Sequence, residues 1–322
     1  MDLFRAVGIV LMIMGHIYFG YRFDLYIHAF HMPMFFFCSG FFYRACDGFH
    51  DACSRILRKA KTLLLPYFSF ALFHFLVVCL QSKSIYRDAL YLFIWNTEQA
   101  GFPIAGALWF LTALFFAEAI YILLDCVLPS RVVLTTVSFA LALLGTLTAR
   151  FFPVRLPFGL DAALVGIGFL HMARLLRGAK KPLFAGLLHL RFPFALVLFI
   201  TASFLIFRNG FVNLRTGSYA SVPLFWLNGF LSIIALWNLC QCADALFAKF
   251  AAAYDFVLRI GRDSIVYLGL NQLVILYITP LITRIPFPLL AQKLIILLLT
   301  LVVLELLRFI MTHTKLRVLV GK

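Results

Sequence analysis

Charge is scarce in this sequence. Only 13% of its 322 residues are Asp, Glu, Lys or Arg, against 64% hydrophobic residues, and the mean hydropathy is +1.00. Such a chain has too little polar surface to cover a water-soluble globule, which excludes ordinary soluble domains. Internal repeats, low-complexity tracts and long polar stretches are also missing, so residues 1–322 read as a single integral-membrane domain. There is no GxSxG elbow, no Walker loop and no GxGxxG, and Gly166-Ile-Gly168 is a bare GxG within an apolar run. Soluble hydrolase and nucleotide-cradle chemistries therefore have nothing to rest on. Cysteines are few and odd in number, seven in all, and the one tight pair, Cys240-Gln-Cys242, has no neighbouring His or further Cys. Neither a disulfide framework nor a metal site is expected.

What is present is a series of apolar runs. Segments of about 20 residues, the length that crosses a bilayer core, occur near 3–21, 29–43, 62–81, 104–124, 132–149, 158–176, 192–207, 223–242, 264–283 and 288–311. The fold class that follows is all-α and polytopic, with about ten transmembrane helices. The second run is short, and only the Pro-rich RIPFP parts the last two. Asp2 accompanies Arg5 ahead of the first run and no small-x-small cleavage site follows it, so the first run reads as an uncleaved helix.

Basic residues outnumber acidic ones by 28 to 13, a net charge of +15. They are scattered between apolar runs and form no basic face, so nucleic acid is not an expected partner and the lipid bilayer is. With the amino terminus inside, 19 of the 28 fall in cytoplasmic segments. The positive-inside rule therefore places both termini in the cytoplasm and the longer loops near 82–103 and 208–222 outside.

A few ionisable residues interrupt the apolar runs, and in a membrane such residues are functional candidates by default. Arg5 and His16 are eleven residues apart, which at 3.6 residues per turn puts them on nearly one face, about 16 Å apart along the axis. Asp2 lies one turn before Arg5 and can pair with it. The stretch HAFHMPMFFFCSGFFYR carries His28 and His31 at the mouth of the second run, with Pro33 in its first turn. If the first two helices pack together, His16 and His31 reach similar depth and line a polar cavity that opens outward. His28, at the loop, reads more simply as a carbonyl-bonded interfacial residue. Glu118 and Asp161 are open to two readings, a structural ion pair or a catalytic role, and either could meet a helix-1 cation or orient a histidine. Trp109 reads as packing in preference to an interface anchor. The cluster Arg55-Ile-Leu-Arg58-Lys59-Ala-Lys61 is a positive-inside signal that could also bind a polyanion.

The opening MDLFRAVGIVLMIMGH, with its Arg-x10-His pattern, resembles the membrane acyltransferase type 3 family. FHMPMFFFCSGFFYR is similar to the FHMPxFFxxSG segment of its fucose 4-O-acetylase-like branch. The likeness continues through RKAKTLLLPYF, ALWFLTALFFAE, the Asp161-Ala-Ala-Leu segment and IGRDSIVYLGLNQLV, in order along nearly the whole chain. It departs at Asn271, where many relatives carry a histidine. The resemblance implies a multi-pass inner-membrane O-acyltransferase. Such an enzyme would move an acyl group, usually acetyl, from acyl-CoA in the cytoplasm to a hydroxyl of a cell-surface or exported glycan or its lipid-linked precursor. Acyl-CoA is then a co-substrate, and no permanently bound cofactor is expected. Under this reading His16 is the general base and His31 its partner or an acceptor-orienting group. Asp2, Arg5, Arg55 and Arg58 serve the acyl donor, and Glu118, Asp161, Trp109 and Asn271 stand in support. The main rival is a multi-pass transporter or flippase using Arg5, Glu118 and Asp161 as a solute or proton path, which the absence of an inverted repeat disfavours. A membrane sensor that docks a partner protein is a second rival.

Overall fold

One proline, one glycine and one left-handed residue set how the chain enters its bundle. The computed structural model describes residues 1–82, 93–97, 106–151, 155–247 and 249–322; Glu98 and most of the 82–103 loop lie outside them. Helix α1 (Asp2–Ile17) ends at Tyr18, which is left-handed (φ 61°), and Gly20 (φ 126°) turns the chain into α2 (Tyr21–His28). A turn through residues 29–32 leads to Pro33, whose missing N–H suits the first helical position of α3 (Pro33–Phe41).

Among the described residues the further α-helices used below are α4 (Phe49–Lys59), α5 (Leu65–Ser82), α6 (Trp109–Val127), α7 (Arg131–Phe151), α8 (Leu160–Arg177), α9 (Pro182–Gly186), α10 (Phe192–Asn209), α11 (Val222–Phe247), α12 (Ala251–Arg262), α13 (Ser264–Ile282) and α14 (Leu289–His313). A two-residue hairpin, β1 (Val212–Asn213) with β2 (Ser218–Tyr219), links α10 to α11 and pairs Val212 with Tyr219.

Eight of the described helical segments are long and apolar enough to cross a membrane. They coincide with the last eight runs expected from the sequence. The first two runs are shorter than expected. Helix α1 has 16 residues, and within the second run, 29–43, only α3 is helical, after a turn over 29–32. The all-α, multi-pass character stands. One crossing is also longer than its apolar run, because α4 continues through a π-helical turn, Ala60–Leu64, into α5.

Helix α3 is apolar all round, and Pro33 to Cys38 are all buried, as suits a helix at the centre of a bundle. It packs on α8, the most enclosed of the long helices, with 72% of its apolar window buried against 22% for α10 and α14. Those outer helices present Leu, Ile, Val and Phe to the lipid. The α3–α8 contact depends on Gly40, where an added Cβ would lie 1.9 Å from the carbonyl oxygen of Leu170. Backbone cannot yield as a side-chain tip can. Gly40→Ala is therefore expected to lower stability by roughly 1–3 kcal/mol or more, seen as an earlier thermal unfolding midpoint in detergent. A midpoint equal to that of the unaltered protein would contradict this packing.

The Gly-Arg-Asp-Ser segment at 261–264 is architectural. Gly261 lets α12 approach the start of α1, since a Cβ there would sit 2.0 Å from the oxygen of Asp2. Asp263 accepts from Arg308 at 3.1 Å and pairs with Lys322, while Glu305 takes Arg308 at 2.7 Å and Arg259 at 2.8 Å. These pairs fasten α12, α13, α14 and the chain end together, and they satisfy the buried Arg308 cation, which alone would be costly in hydrocarbon.

Candidate active site

Helices α1, α6 and α13 each contribute to two neighbouring cavities. The larger, of about 710 Å³, lies at the Arg5 end of α1. Its rim carries Arg5, Arg44, Arg55, Arg58 and Lys59 against two carboxylates, Asp51 and Glu118, so it holds an excess of positive charge. Its floor is apolar, formed by Ile9, Phe35, Phe110, Leu111 and Leu268.

The rim follows from local structure. Helix α4 places Asp51, Arg55 and Lys59 one turn apart along the side that lines the cavity, with Arg58 next to Lys59. Arg55 pairs with Asp51 at 2.7 Å and donates to the carbonyls of Arg44 (2.6 Å) and Ala45 (3.0 Å), which anchors the 44–48 loop. Lys59 precedes the π-helical turn, an irregularity often found at functional sites, and reaches the buried carboxylate of Glu118 at 2.8 Å. Ser39 also donates to Glu118. Arg5 stands 3.9 Å from Asp2 and lies 5.5 Å from the ring centroid of Phe42.

The smaller cavity, of about 190 Å³, lies at the His16 end of α1. Met12 and His16, His28 and His31, Trp109, Gln272 and the hairpin residues Asn213 to Arg215 line it. His16 Nδ1 bonds Asn271 Oδ1 at 2.5 Å. His31 Nδ1 donates to the carbonyl of Ile27 and His28 Nδ1 to that of Asp24, both at 2.7 Å. The His28 and His31 rings meet edge-on with centroids 5.1 Å apart. The three imidazoles thus share one cavity, while the bonded partner of His16 is Asn271 and not His31. Burial lowers the pKa of Arg215, whose guanidinium is costly to charge away from water.

The two cavities are about one helical turn apart. Ile9 lines the first and Met12 the second; on α13, Leu268 and Gln272 divide in the same way. Among the described residues no group of three His, Cys, Asp or Glu could hold a metal ion.

Glu118 and Asp161 take the ion-pair reading of the two left open. Glu118 lies in the larger cavity, away from the histidines of the smaller one, where Lys59 neutralises it and Ser39 donates to it in place of a helix-1 cation. Asp161 opens α8 and pairs with Arg155 at 2.6 Å. Arg155 in turn donates to the carbonyl of Arg215 at 2.9 Å, so Asp161 acts on the smaller cavity only by holding its hairpin cover. Trp109 is 5% exposed and packs edge-on against Phe110. It is a packing residue that also walls the smaller cavity.

Sequence reasoning passed over Lys59 as a site residue, together with Ser39, Arg215 and Gln272. Lys59 stood in the basic cluster. Gln272 stood beside Asn271, two amides in an apolar run, which is itself a signal. The hairpin carried no pattern that would place it over α1.

In a comparison with family models, an acyltransferase domain matches residues 1–307. No curated protein and no solved structure matches the chain.

Proposed function

Since the chain belongs to the membrane acyltransferase type 3 family, its domain model spanning all but the last 15 of 322 residues, we propose that it moves acetyl from acetyl-CoA to a glycan. The acceptor hydroxyl is on a cell-surface or exported glycan or its lipid-linked precursor, and the chain resides in the inner membrane. The observation that carries this reading is the pair of cavities on one set of helices, one basic and one lined by histidines.

Coenzyme A is a polyanion with a flexible thiol arm. Its phosphates suit the Arg5, Arg44, Arg55, Arg58 and Lys59 rim, where charge-assisted hydrogen bonds are strong. Its arm and acyl group suit the apolar floor, which ends at Ile9, about two turns short of His16. The charge distribution of the loops supports a cytoplasmic position for this rim and an outward one for the histidine cavity. Asp2 steadies Arg5.

A sugar hydroxyl is far too weak an acid to ionise near neutrality. His16 takes its proton as the hydroxyl oxygen attacks the thioester carbonyl. The tetrahedral intermediate collapses to the ester, the thiolate of coenzyme A leaves, and the imidazolium returns the proton to it. His31, Gln272 and Asn213 orient the acceptor, and Trp109 walls its site.

Three results test this. Mass spectrometry of surface glycans from cells with and without the protein should differ by the mass of one acetyl group, and identical spectra would contradict the reading. A neutral-histidine base also makes the rate fall on acidification, because protonation removes the lone pair that takes the hydroxyl proton. A rate that rises on acidification with chemistry limiting is incompatible with it. Single-cysteine labelling tests the sidedness. A cysteine at position 215 should react from outside intact cells, whereas reaction only after permeabilisation would reverse the topology.

A further inference from the structure

The geometry points to Asn271 as a positioning residue that fixes the tautomer of His16, holding the proton on Nδ1 and leaving the lone pair on Nε2. This rests on the reading of His16 as the base and adds what makes it competent.

An amide offers one acceptor oxygen and one donor nitrogen, and in isolation either could face an imidazole. Here the choice is made by the backbone. Asn271 Nδ2 donates to the carbonyls of Tyr267 at 2.9 Å and Leu268 at 2.7 Å. Carbonyls cannot donate, so turning the amide over would set its oxygen against two other oxygens at a fully buried site, where Asn271 is 0% exposed. Oδ1 therefore faces His16. With lone pairs only, it must receive a hydrogen from Nδ1 across the 2.5 Å contact. A neutral imidazole with its hydrogen on Nδ1 has its lone pair on Nε2.

Carboxylates commonly do this work for a histidine base, and an amide in their place usually fails because its NH₂ can turn toward the ring and select the wrong tautomer. The two carbonyls of α13 remove that failure, since they hold the NH₂ away. An amide also does the task without a buried charge, which suits a position inside a membrane bundle. His28 and His31 give their Nδ1 hydrogens to the carbonyls of Asp24 and Ile27, so they hold the same tautomer by another route. Of the three cavity histidines, His16 depends on a side chain for it.

The test compares two substitutions of opposite cost and reads the tautomer directly. Asn271→Leu fills the space without an acceptor, and Asn271→Asp keeps an acceptor oxygen while adding a charge and losing both NH₂ bonds. A purely structural role would make the leucine variant the milder, because a buried carboxylate without its donors is the costlier change. A positioning role reverses the order. Per folded protein, Asn271→Leu is expected to lower kcat by roughly 10-fold or more, with KM for acetyl-CoA within about a factor of two, and Asn271→Asp is expected to keep more of the rate than Asn271→Leu.

Nitrogen-15 NMR of the histidine-labelled whole protein, with His16→Ala to assign the signal, should show His16 protonated at Nδ1 and bare at Nε2. It needs no variant at 271. A His16 signal protonated at Nε2, a leucine variant with the full kcat, or a leucine variant more active than the aspartate variant would each overturn the inference. These failures are distinct from that of the functional reading, which falls if His16→Ala still transfers acetyl at the full rate.

Discussion

His16→Ala lowers acetyl transfer by roughly 10²-fold to 10⁴-fold, the usual contribution of a positioned general base, while acetyl-CoA affinity changes by less than about twofold. The separation follows from the helix. His16 lines the small cavity and Arg5 the large one, and eleven residues of helix hold them about 16 Å apart. Removing an imidazole at one end deletes no group that meets the donor phosphates at the other. Isothermal titration with a non-hydrolysable acetyl-CoA analogue, beside single-turnover transfer on the same preparation, reads both quantities. Loss of affinity with an unchanged rate of transfer from the bound state would reverse the assignment of the two cavities.

The second large effect lies on the basic rim. Replacing Arg5 and Arg58 together by Ala is expected to weaken acetyl-CoA binding by roughly 10²-fold or more, because a hydrogen bond to a charged group contributes about 1.5–3 kcal/mol and each 1.4 kcal/mol is about tenfold. The rate of transfer at saturating donor should fall much less. Asp2→Ala should act in the same direction and more weakly, through the freedom it gives Arg5. Lys59 needs a different design. Lys59→Ala strands the buried Glu118 carboxylate, and a buried charge left unpaired costs about 3–5 kcal/mol. Lys59→Ala with Glu118→Gln separates donor binding from that cost. An Arg5/Arg58 double variant with unaltered affinity would remove the rim from the donor site.

Much of this arrangement can be read from the residues, and the limits are physical. Eight of the ten apolar runs are single crossing helices because length and hydropathy alone define them. The second run becomes helical only at Pro33, since proline starts helices more readily than it continues them. Arg5 and His16 were legible because their spacing is a property of one helix. Partners across helices were not. Glu118 with Lys59, Asp161 with Arg155, and His16 with Asn271 join residues 59, 6 and 255 positions apart, and spacing says nothing about which faces of different helices meet. Gly40 and Gly261 show the same limit from the other side. Their close contacts with Leu170 and Asp2 decide the packing, yet in the sequence they are only small residues in apolar surroundings.

The central claim is that donor and acceptor reach the protein from opposite faces and meet at His16. Sealed membrane vesicles of known orientation, prepared from cells that make the protein and its natural acceptor, test it most directly. Inverted vesicles, with the Arg5 rim facing the medium, are supplied with acetyl-CoA labelled in the acetyl group, beside right-side-out vesicles and inverted vesicles carrying His16→Ala. The account predicts label in the glycan fraction of the inverted vesicles alone. Equal labelling by sealed right-side-out vesicles, or by inverted vesicles of the His16→Ala protein, would contradict it.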